Sequence, residues 1–239
     1  MRVPRFYLQQ DLVSGREVSL PRETAHRLIH VLRMKAGQSL RLFNGKGGEF
    51  EATVSTIHRT DVSVLVNQCL DNDLESTLYT DLGIAVIKRN AMDAALTRAT
   101  EMGVSRITPL ITANSSIRKN QLTPEHWLQI ISSSCEQCGR NTLPFLNAVT
   151  DIDQWLSQGS TDIRLVADPH TGRKISDVPS GEVSSVAMLT GPEGGLTQAE
   201  TRQAESAGFF PVGLGKRILR AETVPIALLA LVQHHWGDM

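Results

Sequence analysis

The chain has 239 residues, of which 41% are hydrophobic and 21% are charged, the composition of an ordinary globular protein. No apolar run approaches the roughly 20 residues that cross a bilayer. The N-terminal MRVPRFYLQQ lacks the apolar core of a secretory signal, so we expect a cytoplasmic location and no membrane partner. Residues 1–72 carry ten Lys and Arg against seven Asp and Glu, whereas residues 73–239 carry fourteen against eighteen. The basic excess of the first part weakly favours contact with a polyanion.

Residues 1–72 predict a small module built mainly of strands. After RFYL comes a helix from about Pro21 to Met34, with proline in its first turn and apolar side chains along one face. SLRLFN, FEATVSTI and VSVLVN then form short strands, the first two separated by the turn GKGG. We expect a barrel, joined to the rest of the chain by the polar linker CLDNDLEST at residues 69–77.

From Leu78 the pattern changes to alternating strands and helices, which is typical of an α/β domain with a mainly parallel sheet. Helices are predicted after Asn90, which can cap the first of them, from Pro124 to Gly139, and over the C-terminal AETVPIALLALVQHHW. Thr197 and Glu200 have the T-x-x-E spacing of a capping box, so a further helix should begin there. The predicted strands are LGIAVI, SRITPLIT, IRLVAD, SSVAMLT and FPVGLG.

Three of these strands end in loops rich in glycine, proline or charge: VADPHTGRK, TGPEGGL and GLGKRILRAET. Ligands of open parallel sheets bind at the carboxyl ends of the strands, so we expect the three loops to converge on one edge. The phosphate signatures G-x-x-x-x-G-K-[ST] and G-x-G-x-x-G are both missing, and Glu193 inside the glycine turn would repel a phosphate. A neutral or cationic ligand held by backbone groups fits better. S-adenosylmethionine, which carries a sulfonium cation, is such a ligand.

The charged side chains near these loops leave alternatives open. Arg217, Arg220 and Glu222 form either a surface salt-bridge cluster or a group that holds an RNA phosphate or polarises a base. His170 is more simply a solvated loop histidine than a titrating site residue.

The three cysteines, Cys69, Cys135 and Cys138, are an odd count without a framework of pairs. Cys135 and Cys138 form a C-x-x-C at the C-terminal end of a predicted helix, whereas redox pairs of the thioredoxin kind lie at a helix N-terminus. A structural zinc needs four ligands, and the sequence has no second such pair. We therefore predict neither a metal site nor a redox site.

GPEGG at 191–195, followed by LGKRILRAET at 214–223, resembles the two C-terminal motifs of the RsmE-type 16S ribosomal RNA (uridine-N3) methyltransferases of the SPOUT superfamily. The likeness runs the length of the chain and includes PRFYL, HVLRMKAG, FNGKGGEFEA, ATEMGVSRITPL and SSSCEQCGRNTLP. It also identifies C-x-x-C as part of a family motif centred on Glu136, Gln137 and Arg140, in which the cysteines are incidental.

This resemblance implies a fold and a reaction. Residues 1–72 are expected to form a PUA-like RNA-binding β-barrel, and residues 73–239 a SPOUT methyltransferase domain. In that domain, loops 189–196 and 213–223 form a deep trefoil knot around an S-adenosyl-L-methionine pocket. The enzyme is expected to be a homodimer that methylates N3 of a specific uridine in 16S ribosomal RNA of the 30S subunit. A SPOUT methyltransferase with another RNA target and a non-enzymatic ribosome-assembly factor are the alternatives.

The same resemblance gives candidate site residues. Arg220 is expected to stabilise the uridine anion or bind its phosphate. Glu222 or Glu193 is a base, an orienting partner or a cap for backbone amides. Cofactor contacts are expected from Leu189, Thr190, Gly191, Glu193, Gly194, Gly195, Leu214, Gly215, Ile218, Leu219 and Arg220. RNA contacts are expected from Arg5, His30, Arg33, Arg140 and Arg217, although His30 and Arg33 equally fit a plain polar helix face.

Overall fold

The computed structural model describes residues 3–115, 122–159, 161–179 and 181–239, which group into two compact units. The first unit contains the chain up to Glu75 together with Cys135–Leu143, here called the returning segment. The second unit contains Ser76–Ser134 and Pro144–Met239. The boundary after Glu75 falls within the linker predicted at 69–77. The returning segment has no counterpart in the predicted division at residue 72.

The first unit is built on a five-stranded sheet with the order β1-β3-β4-β5-β2. Its strands are β1 (Arg5–Tyr7), β2 (Glu17–Ser19), β3 (Ser39–Phe43), β4 (Glu49–His58) and β5 (Asp61–Leu70). Val62, Val64 and Val66 alternate along β5 and enter one core with Phe6 and Leu28. β1 and β2 are the edge strands of this sheet, and a closed barrel would pair them with each other. The described residues show no such pairing, so the sheet is open between its two edges.

The helix predicted from Pro21 to Met34 ends earlier and is irregular. Helix α1 covers Arg22–His26, and a π-helical turn continues it over Arg27–Val31. The chain then leaves the helix, because Arg33 has a φ of 52° in the left-handed region.

A buried carboxylate joins the strands of the first unit. Glu49, at the start of β4, is 1% exposed and pairs with Arg5 of β1 and Arg41 of β3. The Arg5 guanidinium also donates to the Arg140 carbonyl oxygen at 3.0 Å and to Asn141 Oδ1 at 2.7 Å. Because a buried charge needs its partners in place, this cluster fastens the returning segment to β1.

The CEQCGR motif lies in the returning segment, and its charged side chains have partners within the first unit. Glu136 Oε1 accepts the Tyr7 backbone N–H at 3.0 Å, and Glu136 Oε2 lies 2.9 Å from Arg27. The Arg140 guanidinium pairs with the Glu75 carboxylate at 2.5 Å. Glu136 and Arg140 therefore hold this unit together.

The second unit contains, in its described part, a seven-stranded sheet in which every pair of neighbours is parallel, so the predicted parallel sheet is confirmed. The order is β12-β10-β11-β6-β7-β8, and β9 also pairs with β7. β6 and β11 are buried almost without interruption, as expected for strands covered on both faces. The strands are β6 (Tyr79–Ala85), β7 (Arg106–Ile111), β8 (Phe145–Leu146), β9 (Thr150–Asp151), β10 (Ile163–Ala167), β11 (Ser185–Thr190) and β12 (Phe210–Val212).

The remaining helices are α2 (Arg89–Glu101), α3 (Pro124–Cys138), α4 (Ile152–Leu156), α5 (Gln198–Ser206) and α6 (Val224–Trp236). The predicted capping role of Asn90 is wrong, because α2 already begins at Arg89 with Lys88 at the N-cap position. The capping box of α5 is confirmed: Thr197 Oγ1 accepts the Glu200 N–H at 3.2 Å, and Glu200 Oε2 accepts the Thr197 N–H at 2.8 Å. Across the described ranges, no helix is long and apolar enough to cross a membrane.

We expect Glu49→Gln to lower the free energy of unfolding by about 3 kcal/mol, because Arg5 and Arg41 would lose their buried counter-charge. Glu51→Gln is the matched control. Glu51 is 43% exposed and lies 4.0 Å from Arg41, so its loss should cost less than about 1 kcal/mol. Urea denaturation measures the free energy of unfolding of both variants. An equal loss of that free energy in the two variants would contradict a special role for the buried cluster.

Asp81 of β6 and Arg106 of β7 are register neighbours, with their charged groups 3.7 Å apart. Burial raises the pKa of Asp81 to about 6, and Arg106 opposes this rise only partly. The folded state therefore holds the Asp81 proton more tightly than the unfolded chain does, so stability should fall as the pH rises from about 4 to about 6. We expect Asp81→Asn to remove a decline on the order of 2 kcal/mol across that range. Urea denaturation at several pH values measures the free energy of unfolding. If that free energy depended on pH in the same way for Asp81→Asn and the unchanged protein, the prediction would be wrong.

Candidate active site

Three adjacent parallel strands bring three loops to one edge of the second unit. β10 lies between β11 and β12, with Val166 opposite Leu189 and Ala167 opposite Val212. The loops that follow these strands therefore leave the sheet side by side, as predicted from the sequence.

The loops enclose a cleft of about 320 Å³. Asp168, His170, Glu193 and Arg217 supply its charged and titratable side chains, and leucine, isoleucine, valine, alanine and proline supply its apolar ones. Its walls are formed by residues 167–170, 191–196, 212, 214, 215, 217–219, 221 and 224. The cleft thus offers aliphatic walls with a few charged groups, the usual character of a small-molecule site.

The glycine loop after β11 needs glycine at two positions for different reasons. A Cβ on Gly191 would lie 3.0 Å from the Leu196 backbone nitrogen, so the chain folds back too closely there for a side chain. Gly195 has a φ of +71°, a conformation that other residues rarely adopt, and its N–H donates to the Pro192 carbonyl oxygen at 2.8 Å. The result is a tight turn that exposes its backbone to the cleft.

Side chains from neighbouring elements fix this loop. Asn114 Nδ2, just after β7, donates to the Gly194 and Gly195 carbonyl oxygens at 3.3 and 3.0 Å. Glu200 Oε1 accepts the Ala113 N–H at 2.8 Å while the same carboxylate completes the capping box of α5. The segment after β7 therefore holds both the loop and the helix that follows it before any ligand arrives.

Glu193 has a definite partner within the second unit. Its Oε1 accepts the backbone N–H of Lys88, the residue before α2, at 3.1 Å. An acid in this glycine turn thus links the loop to the start of α2. Of the roles considered for Glu193, the geometry supports the cap for a backbone amide.

The predicted cofactor residues divide into two groups. Leu189, Thr190 and Arg220 do not line the cleft: the first two are buried in β11, and Arg220 is exposed. The others form its walls: Gly191, Glu193, Gly194, Gly195, Leu214, Gly215, Ile218 and Leu219.

The predicted catalytic pair lies just outside the cleft. Arg220 follows the cleft residue Leu219, and Glu222 follows the cleft residue Ala221. Glu222 is half-buried and lines a neighbouring groove that includes the start of α2. Both side chains are therefore beside the cleft without forming its walls.

The residues predicted to contact RNA do not share one environment. Arg5 and Arg140 are almost fully buried in ion pairs with Glu49 and Glu75, so the expectation that they grip RNA does not fit the structure. Their guanidinium groups balance buried carboxylates instead. His30, Arg33 and Arg217 are exposed, and Arg217 also lines the cleft.

Cys135 is buried at the end of α3, where burial raises the pKa of its thiol to about 12. A thiol that stays protonated is a poor nucleophile and a poor metal ligand. Among the described residues, no group of three or more His, Cys, Asp or Glu side chains is arranged to hold a metal ion.

Sequence reasoning assigned no role in the site to several residues that build it. His170 lines the cleft, although its simplest interpretation was a solvated loop residue. Asp168 lines it too, and its Oδ1 accepts the His170 N–H at 2.8 Å in a local turn. Asn114 contacts the glycine loop across 80 residues of sequence, and only its position after a strand could have indicated a role.

Comparison with known proteins identifies the family. A profile of the RNA methyltransferase domain matches residues 74–233, and one of the RNA methyltransferase PUA domain matches residues 20–66. The ribosomal RNA small subunit methyltransferase E of Buchnera aphidicola subsp. Schizaphis graminum is 31% identical, over 100% of this chain and 98% of that protein. The chain belongs to this family of RNA methyltransferases. The Rickettsia conorii member is 30% identical, over 98% of this chain and 96% of that protein.

Two solved structures of methyltransferases are similar over 100% of both chains. One is a methyltransferase from Legionella pneumophila in complex with the bound cofactor SAM, with 34% identity and a TM-score of 0.95. The other is ribosomal RNA small subunit methyltransferase E from Neisseria gonorrhoeae bound to S-adenosyl methionine, with 34% identity and a TM-score of 0.91. The chain accordingly has a SPOUT methyltransferase fold with a mainly parallel sheet and a PUA-like N-terminal domain.

We expect Glu193→Ala to speed hydrogen exchange at the Lys88 amide, because that N–H would lose its acceptor. Glu193→Gln should leave the exchange rate near that of the unchanged protein, because its side-chain oxygen still accepts. Amide exchange followed by NMR measures both variants. If Glu193→Ala left the Lys88 rate unchanged, the carboxylate would not be holding α2.

Proposed function

We propose that this chain transfers a methyl group from S-adenosyl-L-methionine to N3 of a specific uridine in 16S ribosomal RNA of the 30S subunit, giving N3-methyluridine. The observation that carries the proposal is the cleft whose two main walls are the GPEGG loop and the loop at 213–223. Similar proteins are named ribosomal RNA small subunit methyltransferase E, and two similar structures hold the cofactor. A ribosomal substrate places the enzyme in the cytoplasm.

The apolar part of the cleft fits this cofactor. Leu196, Leu214 and Leu219 supply aliphatic surface against which an adenine ring can pack. Gly191, Gly194 and Gly195 carry no side chains to obstruct a ligand, so their amides and carbonyls can hydrogen-bond to one directly.

The polar part of the cleft fits the same molecule. Glu193 and Asp168 place carboxylates beside it, which suits a sulfonium cation, and Arg217 places a guanidinium there, which suits a carboxylate. Thr190 Oγ1, beside cleft residue Gly191, is buried and has no hydrogen-bond partner in the described part of the chain. When bound, the cofactor supplies an electrophilic methyl group.

The chain must then supply position and charge for the uridine. N3 becomes a nucleophile when its proton leaves, and the resulting negative charge spreads over O2 and O4. N3 lies on the Watson–Crick edge, so the target base must be unpaired or turned out of a helix. A cationic donor near the cleft would stabilise the developing anion.

Arg220 is our candidate for that donor. Its side chain is exposed next to the cleft, and it forms no ion pair with another described residue. Glu222 is our candidate for the base or for the group that orients the uridine, because Glu193 already accepts the Lys88 N–H. Arg217, His30 and Arg33 are proposed to contact RNA, since all three are exposed.

We also propose a trefoil knot and a homodimer. Gly213 supports the knot: its N–H donates to the Arg173 carbonyl oxygen at 2.9 Å, and a Cβ there would lie 2.7 Å from the Thr171 carbonyl oxygen. The loops after β10 and β12 therefore lie in close contact, as the proposed knot requires. Ile218, 77% exposed, and Leu231 on the apolar α6 support the dimer, since a second copy would cover them.

The test of this function is mass mapping of methylated nucleosides in 16S RNA from cells lacking the gene. We expect N3-methyluridine alone to disappear and to return when the gene is restored. Loss of a different methylated nucleoside would assign another RNA target. Calorimetry with S-adenosylmethionine complements the test, since a protein that does not bind it would be an assembly factor.

We expect Arg220→Ala to lower the rate of methyl transfer to 30S subunits about 100-fold, because a cationic donor is lost where charge develops. The dissociation constant for S-adenosylmethionine should change little, because Arg220 does not line the cleft. Arg202→Ala is the control, since it removes the same charge from the exposed face of α5. Transfer by Arg220→Ala at the unchanged rate would contradict the assignment.

A further inference from the structure

An open groove of about 540 Å³ lies along the start of α2. It is here called the α2 groove, and it is lined by Lys88, Arg89, Asn90, Ala91, Ala94, Arg98 and Glu222. Its lining belongs entirely to the second unit.

The groove owes its shape to small and long side chains on one helix face. Ala91, Ala94 and Arg98 recur at helical spacing, so they lie along the same face of α2. The two alanines leave an open floor, and Lys88, Arg89 and Arg98 stand around it. Ten residue steps separate Lys88 from Arg98, and ten residues of helix rise about 15 Å. A single small anion is too short to bridge that distance.

The groove carries a net positive charge. Lys88, Arg89 and Arg98 are exposed, and none of them forms an ion pair with another residue in the described ranges. Glu222 is the acid in the lining. Three cations against one carboxylate, spread along a helix, favour a ligand that carries several negative charges in a row.

The α2 groove and the cleft share a wall. Glu193 lines the cleft, and its carboxylate accepts the backbone N–H of Lys88, which lines the groove. On the other side, Ala221 lines the cleft and the next residue, Glu222, lines the groove. A target nucleotide placed beside the cleft, facing the bound cofactor, would therefore have its neighbours along the strand close to the groove.

We propose that the α2 groove binds the backbone phosphates of the ribosomal RNA strand next to the target nucleotide, with Arg89 and Arg98 as positioning residues. The proposal rests on the proposed function, because it takes the strand to be that of the methylated uridine. Phosphate contacts fix the register of a strand and carry little sequence information. The groove thus orients the RNA, while Arg220 and Glu222 beside the cleft act on the base.

The test compares Arg89→Ala and Arg98→Ala with Arg202→Ala, which removes the same charge from α5. Binding to 30S subunits from cells lacking the gene is measured at KCl concentrations from about 50 to about 300 mM, a range in which the affinity of phosphate contacts falls steeply with salt. For each groove variant we expect a dissociation constant several-fold higher. The salt slope, which is the slope of the logarithm of the binding constant against the logarithm of the salt concentration, should become shallower by about 0.7–0.9, the value of one lost phosphate contact. KM for the subunit should rise, while kcat and the affinity for S-adenosylmethionine stay unchanged.

Three results would overturn the proposal. One is a salt slope equal to that of Arg202→Ala. Another is weaker binding with an unchanged slope, which would point to contact with a ribosomal protein. A third is a loss of kcat without a change in KM, which would indicate a structural role for the arginines. A protein that binds 30S subunits through the groove but leaves uridine N3 unmethylated would overturn only the proposed function.

Discussion

The parallel pairing of β10 with both β11 and β12 is the constraint on which the site depends. In a parallel sheet all carboxyl ends face the same way, so loops far apart in sequence leave from one edge. The GPEGG loop and the 213–223 loop flank β10 and close on the loop that begins at Asp168. Had one of these strands been antiparallel, its loop would lie at the opposite edge and the cleft would lose a wall.

The glycine loop combines local freedom with external support. Glycine permits the turn, yet a chain without side chains has much conformational entropy to lose when it becomes ordered. Asn114 and Glu193 supply that order, because their hydrogen bonds join the loop to the segment after β7 and to the start of α2. Glu200 joins the helix that follows the loop to the same segment after β7. A loop fixed in advance costs less to organise when a ligand binds, so the cleft is preorganised for its cofactor.

The sequence predicted what local periodicity controls. The parallel sheet, the helix from Pro124 and the capping box of Thr197 and Glu200 all follow from spacing within a few turns or strands. The motif resemblance added the enzyme family, which no periodicity could have supplied.

Features that depend on distant partners escaped prediction. Arg5 looked like an exposed cation, because its contact with Asn141 spans 136 residues of sequence and nothing local marks it. Arg140 is buried against Glu75 for the same kind of reason. Asn90 resembled a helix cap, but the helix already starts at Arg89. The backbone N–H of Lys88, just before the helix, donates to Glu193, which is 105 residues away in sequence. Within the site, His170 could not be placed, since a loop histidine has the same pattern whether it faces solvent or a ligand.

The returning segment also sets the order in which the chain can fold during synthesis. The buried cluster of Glu49 and Arg5 includes the Asn141 side chain and the Arg140 carbonyl oxygen, which leave the ribosome long after the strands they join. At about 5–20 residues per second, the wait from residue 75 to residue 143 is roughly 3–14 seconds. The Arg5 guanidinium gains those two acceptors only then, so the first unit completes its buried ion-pair cluster after part of the second unit has been made. Completion of the first unit therefore depends on synthesis of part of the second.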